Sequence, residues 1–240
     1  MSVKIFWAGD STVKQNTYTS FPQTGIGQAY GLFLKKAVKI ENYAENGRST
    51  KSFIDEGILD KIDKEIGKGD FLYIQFGHND EKEDEARHTD SFGSYQDNLR
   101  KFAEVARKHE AYPLFITSLY RRHFNEDKKT LKDKVHMDYP DAMIALAKEI
   151  GVPVVDLCTL SKAKIEEAGD ETSRRWFLHV LPHVYPHFPD GKKDDSHLQY
   201  EGAYVFSGII ASEVAKIGGV YAQVLLDPDA NLEDPLLLVD

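Results

Sequence analysis

Residues 3–12, VKIFWAGDST, join an apolar run to a polar turn. The apolar run, residues 3–8, predicts a buried strand, and the polar residues 9–12 predict the turn that ends it. Two interpretations of the turn are open. It caps a following helix, or it presents Ser11 as a nucleophile at the carboxyl end of the strand.

Segments of strand character alternate with segments of helical character along the rest of the chain. Further strands are predicted at residues 38–43, 71–76, 112–117 and 152–155. Helices are predicted at residues 30–37, 52–66, 99–106 and 143–150, and a last helix begins near Tyr200. This alternation predicts right-handed βαβ units, and hence an α/β fold with a parallel sheet of about five strands and helices on both faces. Ligands of such folds bind outside the carboxyl ends of the strands.

The chain shows no internal repeat and no linker that would divide it. We expect one domain over residues 1–218 and a C-terminal extension over residues 219–240, packed on the domain or at a subunit contact. Residues 82–91 are charged and predict a solvated loop, and residues 174–193, rich in proline, histidine and aromatic residues, predict a loop before the last helix. Either a monomer or a homodimer fits the sequence.

The charge balance excludes some classes of partner. The chain has 30 basic and 39 acidic residues and a formal net charge of −9. Nucleic acids and anionic membranes bind concentrated positive charge, so we expect neither as a partner. No apolar run approaches the roughly 20 residues that span a bilayer, and the N-terminus lacks the pattern of a signal peptide. A cytoplasmic protein is the simplest expectation, unless a signal peptide has been removed.

Four polar blocks carry the candidate chemistry. Residues 9–11, 46–49 and 77–80 follow the first three predicted strands, and residues 194–197 precede the last helix. Each block alone is typical of a turn or a helix cap. Together they supply the groups that acyl transfer needs: a nucleophile, a base, a group that orients the base, and donors for the oxyanion.

Each of these roles has a candidate residue. Ser11 can be the nucleophile, and His197 can take its proton while Asp194, three residues earlier, accepts from the other ring nitrogen. The backbone N–H groups of Ser11 and Gly47 and the side-chain amide of Asn79 can donate to the oxyanion. An amide suits that position because a carboxylate would repel the developing negative charge.

The four blocks occur in the order and approximate spacing of the SGNH, or GDSL, hydrolase superfamily. The strings GDSTV, ENGRSTKSF, QFGHND and PDGKKDDSHLQYEGA resemble its rhamnogalacturonan acetylesterase branch, and the resemblance extends from Ile5 to about Gly208. The resemblance implies a flavodoxin-like three-layer α/β/α fold and no metal or organic cofactor. It also implies a triad of Ser11, Asp194 and His197, with Gly47 and Asn79 joining Ser11 in the oxyanion hole.

Two residues compete for these roles. Asp195 is adjacent to Asp194 and could orient the base instead. His78 is the nearest rival to His197 for the role of base. The register of the family favours Asp194 as the orienting group. It also makes His78 a structural or pocket-lining residue.

The stretch HVLPHVYPHFPDG, residues 179–191, suggests a metal site at first sight, because His179, His183 and His187 recur every four residues. Three prolines interrupt any helix that would align these rings, so we expect no metal. We expect a loop beside the active site instead, with Tyr185, His187 and Phe188 forming a sugar-binding wall.

Arg121 and Arg122 follow the fourth predicted strand, at the ligand edge of the sheet. They can meet an acidic sugar such as a uronate, or can be solvated charge.

These observations lead to one functional hypothesis and two rivals. The hypothesis is a serine esterase that removes O-acetyl groups from plant cell-wall oligosaccharides of the rhamnogalacturonan or xylan type, through an acetyl-serine intermediate. The rivals are an esterase of the lipase or thioesterase type in the same superfamily and a non-catalytic carbohydrate-binding protein. A long acyl chain needs an extended apolar channel, for which the sequence shows no clear signal. A binding protein has no need of all five candidate residues.

Overall fold

The apolar run near the N-terminus forms β1 (Lys4–Gly9), whose residues from Ile5 to Gly9 are all buried. The computed structural model describes residues 3–226. β1 lies between two other strands and is covered by helices on both faces. This position explains why its sequence is a continuous apolar run without polar alternation.

The sheet has five parallel strands in the order β2-β1-β3-β4-β5. The other four strands are β2 (Lys39–Asn42), β3 (Phe71–Gln75), β4 (Tyr112–Ile116) and β5 (Val154–Val155). The register places Ile5 of β1 opposite Ile40 on one side and Phe71 on the other. The predicted parallel sheet of about five strands is therefore confirmed.

Two apolar clusters cover the two faces of the sheet. One face is covered by α2 (Thr50–Asp55), α3 (Ile58–Glu65), α4 (Gln96–Lys108) and α5 (Tyr139–Ile150). The other face is covered by α1 (Ile26–Ala29), α6 (Leu157–Arg174), α7 (Tyr200–Ile217) and α8 (Gly219–Ala222). Because successive strand residues point to opposite faces, Ile5 and Trp7 belong to one cluster and Phe6 belongs to the other. The layers are those of the expected α/β/α fold.

The helix predicted at residues 30–37 is wrong. The chain there forms the short α1 and a 3₁₀ turn at Tyr30–Phe33, and Leu34 is extended. The Phe33 carbonyl accepts from the Leu226 N–H, and the Lys35 N–H donates to the Val224 carbonyl. These tertiary hydrogen bonds use backbone groups that a continued helix would need. The helical spacing of the apolar residues therefore predicts a helix that does not form.

The predicted helix at residues 52–66 is two helices. α2 begins after Ser49, whose side chain exchanges hydrogen bonds with Ser52 in a capping box. Gly57, at a φ of 69°, separates α2 from α3, because a left-handed residue cannot continue a right-handed helix.

Two larger features of the fold have no counterpart among the sequence predictions. The first is α6, which is capped by Asp156 and interrupted by Gly169 at a φ of 75°. The second is an antiparallel hairpin of β6 (Phe177–Val180) and β7 (Lys192–Leu198), whose strands take residues 177–180 and 192–193 of the stretch predicted as a loop and leave residues 181–191 as their connection. The sequence of β7, KKDDSHL, is charged and lacks the apolar residues typical of a strand. Its strand geometry therefore depends on its pairing with β6.

The described part of the C-terminal extension packs against the domain. Tyr221, Val224 and Leu225 are buried, and the Tyr221 hydroxyl donates to the Pro113 carbonyl. Residues 227–240 lie outside the described residues, so the predicted division at residue 218 stays a prediction. Within residues 3–226, no helix combines the length and apolar character needed to cross a membrane.

We expect Leu72→Ala to lower the free energy of unfolding by about 2–5 kcal/mol, because the substitution leaves a cavity in the core. Leu72 lies in β3 and is 0% exposed. Leu181→Ala is the matched control: this leucine is 73% exposed, and its loss should change stability by no more than about 0.5 kcal/mol. Urea unfolding followed by circular dichroism measures both. Equal losses in the two variants would contradict the core position of Leu72.

Candidate active site

Ser11 lies in the turn that follows β1. The buried carboxylate of Asp10 accepts hydrogen bonds from the Thr12 N–H and the Thr12 hydroxyl, both at 2.8 Å. A Cβ atom at Gly9 would lie 3.0 Å from the Gln75 carbonyl oxygen, so glycine allows β1 and β3 to approach here. The turn is thus fixed by its own polar groups, while Ser11 stays partly exposed.

A histidine and a carboxylate of β7 face this serine. His197 Nε2 lies 2.9 Å from Ser11 Oγ, and His197 Nδ1 lies 2.8 Å from Asp194 Oδ2. Asp194 Oδ1 accepts from the backbone N–H groups of Ser196 and His197, both at 2.9 Å. The structure therefore brings the three residues predicted as a triad into one chain of contacts, from hydroxyl to imidazole to carboxylate.

The Asp194 carboxylate is held in its ionised form. Burial raises the pKa of Asp194, but the hydrogen bond and charge of His197 outweigh it, so the pKa lies well below its usual range. Backbone N–H groups add to this lowering. An ionised carboxylate can accept from His197 Nδ1 and leave Nε2 free to receive a proton from the serine.

The competing carboxylate, Asp195, has different partners. Its Oδ1 lies 2.7 Å from Arg122 Nη1 and 2.8 Å from His179 Nε2. The two adjacent aspartates thus face different groups, as neighbours on a strand do. Asp194 is the one that contacts His197.

The competing histidine, His78, is buried behind the nucleophile turn. Its Nδ1 lies 3.5 Å from Asp10 Oδ2, and its ring centroid is 4.4 Å from that of His136. Among residues 3–226, no hydrogen bond joins His78 to Ser11. The position fits the predicted structural or pocket-lining role better than that of a base.

The turn after β2 offers a backbone donor. The Glu45 N–H donates to the Gly9 carbonyl, which ties this turn to the end of β1. Gly47 has a φ of 73°, a conformation in which other residues are strained. In the described part of the chain, neither the Gly47 N–H nor the Ser11 N–H has a protein acceptor. Both groups are therefore available to an oxyanion.

The Asn79 amide lies against the same turn. Its Nδ2 donates to the Arg48 carbonyl at 3.1 Å, and its Oδ1 accepts from Arg87 Nη1 at 3.3 Å. These contacts assign the orientation of the amide, and the nitrogen retains a second N–H. The residues predicted for the oxyanion hole thus come from three turns at the carboxyl edge of β2, β1 and β3.

A buried carboxylate joins two of these turns. Asp80 accepts from the Thr50 N–H at 3.0 Å and from the Thr89 hydroxyl at 3.1 Å. Burial raises the pKa of Asp80 to about 7, against the hydrogen bonds from Thr50 and Thr89 that favour the ionised form. Asp80 therefore fixes the Asn79 turn to the start of α2.

The residues predicted as a sugar-binding wall lie in the connection between β6 and β7. The Tyr185 ring meets Phe21 edge to face at a centroid distance of 5.6 Å, and the His187 ring meets Tyr18 at 5.4 Å. The Phe188 N–H donates to the Tyr185 carbonyl, which closes a tight turn. Tyr185 also lines a cavity of about 420 Å³, together with Phe21, His179 and Gln199.

The sequence analysis missed Tyr18 and Phe21. Tyr18 is 74% exposed and Phe21 is 51% exposed, in and beside a 3₁₀ turn at Tyr18–Ser20. Their segment is linked to the residue that follows β7, because Gln23 forms a bridge with Gln199, two residues after His197. One signal in the sequence could have indicated them: two aromatic residues lie in a polar segment that has neither helical nor strand periodicity.

Arg121 is largely enclosed by protein. Its Nη2 lies 2.5 Å from Glu81 Oε1, and its Nη1 donates to the Val135 carbonyl at 3.3 Å. The side chain is 16% exposed. These partners already use most of the guanidinium that was predicted to bind substrate.

The three histidines of residues 179–191 do not share a helix face. His179 lies in β6, while His183 and His187 lie in the following connection. Within the described residues, no group of three or more histidine, cysteine, aspartate or glutamate side chains is placed to hold a metal ion.

Comparisons with known proteins identify the family of the chain. Residues 5–205 match the family of GDSL-like lipases and acylhydrolases. The chain is similar to rhamnogalacturonan acetylesterase RhgT of Bacillus subtilis, with 40% identity over 216 residues that cover 90% of this chain and 91% of that protein. It is also similar to the probable rhamnogalacturonan acetylesterase YesY of the same organism, with 34% identity over 220 residues, or 91% and 95% of the two chains.

A solved structure supports the fold. The crystal structure of protein YxiM from Bacillus subtilis superposes with a TM-score of 0.76 at 24% identity, over 91% of this chain and 57% of that one. The resemblance predicted from the four sequence blocks is thereby confirmed, and the chain belongs to the GDSL-like lipase/acylhydrolase family.

Proposed function

We propose that the protein is a serine esterase that removes O-acetyl groups from plant cell-wall oligosaccharides. The observation that carries the proposal is the contact of His197 Nε2 with Ser11 Oγ at 2.9 Å, with Asp194 at the other ring nitrogen. Relatives named as rhamnogalacturonan acetylesterases support that polysaccharide as the first substrate class, with acetylated xylan as the second.

In the first half of the reaction, His197 accepts the proton of Ser11 as Oγ attacks the acetyl carbonyl carbon. The tetrahedral oxyanion accepts hydrogen bonds from the N–H groups of Ser11 and Gly47 and from Asn79 Nδ2. Each such donor typically contributes about 3 kcal/mol of transition-state stabilisation. His197 then gives its proton to the leaving sugar oxygen, and the C–O bond breaks to leave acetyl-Ser11.

In the second half, water replaces the sugar. His197 accepts a proton from the water as its oxygen attacks the acetyl carbonyl, and the same donors hold the second oxyanion. The proton returns to Ser11 Oγ as acetate leaves. Asp194 stays ionised throughout and stabilises the imidazolium that forms in each half.

Substrate binding is assigned to the aromatic side chains beside the triad. The exposed rings of Tyr18 and Phe21 stand against His187 and Tyr185, and together with Phe188 they offer apolar faces to a sugar ring. They pack on residues of the β6–β7 connection, which leads into β7, the strand that carries His197.

We expect Ser11→Ala and His197→Ala each to lower kcat for p-nitrophenyl acetate by at least about 1,000-fold, because the triad acts as a unit. His183→Ala, in the β6–β7 connection, is the control and should keep wild-type kcat. Circular dichroism checks that the variants fold. An unchanged rate in Ser11→Ala would contradict the mechanism.

Substrate class is tested with acetylated oligosaccharides and with p-nitrophenyl esters of increasing acyl length. We expect acetate release from rhamnogalacturonan or xylan oligosaccharides, and kcat/KM that falls as the acyl chain lengthens. Faster hydrolysis of long-chain esters would favour a lipase or thioesterase. Binding of the oligosaccharides with no hydrolysis of any ester would favour a carbohydrate-binding protein.

The pH dependence of kcat/KM should show one acid limb with a slope of one. The base accepts the serine proton only in its neutral form, whereas the lowered pKa of Asp194 keeps that carboxylate ionised. Rates of p-nitrophenyl acetate hydrolysis between about pH 4 and pH 8 give the profile. A slope near two would show that a second group titrates in this range, either Asp194 or the buried Asp80, whose pKa is raised to about 7.

A further inference from the structure

Arg121 and Arg122 follow β4 and extend to two different parts of the proposed active site. Arg121 pairs with Glu81, in the turn that carries Asn79. Arg122 pairs with Asp195, in the strand that carries Asp194 and His197. We call these two residues the arginine clasp.

The Arg122 guanidinium is fully engaged and its side chain is 5% exposed. Nη1 donates to Asp195 Oδ1 at 2.7 Å, Nε donates to the Ser173 hydroxyl at 3.0 Å, and Nη2 donates to the Asp170 carbonyl at 2.6 Å and also pairs with the Asp170 carboxylate. The Arg122 backbone N–H also donates to the Asp195 carbonyl at 2.9 Å. Arg122 thus joins the end of β4, α6 and β7.

The Arg121 guanidinium holds both sides of Asn79. Nη2 pairs with Glu81 Oε1 at 2.5 Å and lies 3.5 Å from the His78 carbonyl oxygen. Burial raises the pKa of Glu81, but the hydrogen bond from His136 and the charges of His136 and Arg121 outweigh it, so the pKa lies below its usual range. An ionised Glu81 is a lasting partner for the guanidinium.

The hairpin needs such an attachment because it is not part of the main sheet. β6 and β7 form a separate two-stranded sheet, and an isolated hairpin is marginally stable in water. The nucleophile and the oxyanion donors lie on turns of the five-stranded sheet, whereas the base and its carboxylate lie on the hairpin. Their separation therefore depends on the contacts that connect the two sheets, and Arg122 makes several of them through its side chain and its backbone N–H.

We infer that the arginine clasp positions the base against the nucleophile and the oxyanion donor. This inference rests on the proposed function. Arg122 sets the position of Asp194 and His197, and Arg121 sets the position of Asn79, so each arginine acts on the reaction through other residues. Arginine suits both places because its planar guanidinium donates in several fixed directions at once, which a lysine ammonium does not reproduce.

The two arginines should have distinguishable kinetic effects. Arg122→Lys should lower kcat by about 100-fold, the effect expected from a misplacement of about 1 Å, with KM changed little. It should also move the acid limb of the pH profile to lower pH, because the His197 imidazolium loses part of its carboxylate stabilisation. Arg121→Lys should lower kcat without moving the acid limb, because it acts on the oxyanion donor.

Arg100→Lys is the matched control. Arg100 pairs with the Glu149 carboxylate at 3.0 Å, its side chain is 32% exposed, and it lies in α4, on the face of the sheet away from the hairpin. Its kcat and pH profile should equal those of the wild type. Asp195→Asn is a second variant that disturbs the same contact as Arg122→Lys. It removes the negative charge that pairs with Arg122 and keeps the side-chain volume.

The measurements are pH profiles of p-nitrophenyl acetate hydrolysis and the rate at which diisopropyl fluorophosphate inactivates Ser11, both normalised to folded protein.

Wild-type enzyme that is neither active nor labelled at Ser11 would refute the proposed function itself. Labelled, active wild type with wild-type rates in Arg122→Lys and Asp195→Asn would refute the clasp. Equal shifts of the acid limb in Arg121→Lys and Arg122→Lys would refute the separate roles. If Arg122→Lys does not fold, an unmoved acid limb in a folded Asp195→Asn would refute the role of Arg122.

Discussion

The proposed site depends on the parallel pairing of β2, β1 and β3. Because these adjacent strands run in one direction, their carboxyl ends meet at one edge. The turns that follow them carry Gly47, Ser11 and Asn79. The bond from the Glu45 N–H to the Gly9 carbonyl extends the pairing beyond the strands, and Asp80 ties the Asn79 turn to α2. The backbone ladder thus sets the spacing of the nucleophile and oxyanion donors.

The base is positioned in a different way. His197 and Asp194 lie on a hairpin outside that ladder, so contacts from other segments fix them relative to the sheet edge, among them the hydrogen bonds from the Thr24 N–H to the Leu198 carbonyl and from the Arg122 N–H to the Asp195 carbonyl. Within β7, the backbone N–H groups of Ser196 and His197 hold Asp194 in place. Between β7 and the rest of the protein, Arg122 supplies a buried, charge-assisted attachment through Asp195. Rigid backbone and buried ion pairs therefore contribute different halves of one site.

Sequence reasoning succeeded where a pattern reflects burial. Strands buried on both faces read as apolar runs, and the polar blocks marked their ends. It failed where tertiary contacts decide: β7 is a charged strand, and residues 33–35 pair with residues 224–226 where a helix was predicted. The residues alone could not separate Asp194 from Asp195, since adjacent identical side chains differ only in the face they occupy, and the choice of Asp194 depended on the register of the family. Sequence reasoning also missed Tyr18 and Phe21, because exposed aromatic residues in a short turn show neither helical nor strand periodicity.

The β6–β7 connection has a consequence for how such proteins diverge. It leaves the hairpin after Val180 and returns at Lys192, which pair with each other, so its length is not coupled to the register of Asp194 and His197. Tyr185, His187 and Phe188 all lie within it. A lineage can therefore lengthen, shorten or replace this segment to accommodate a new polysaccharide and inherit the reaction chemistry unaltered. The proposed sugar-binding residues and the proposed base thus occupy separate parts of one hairpin.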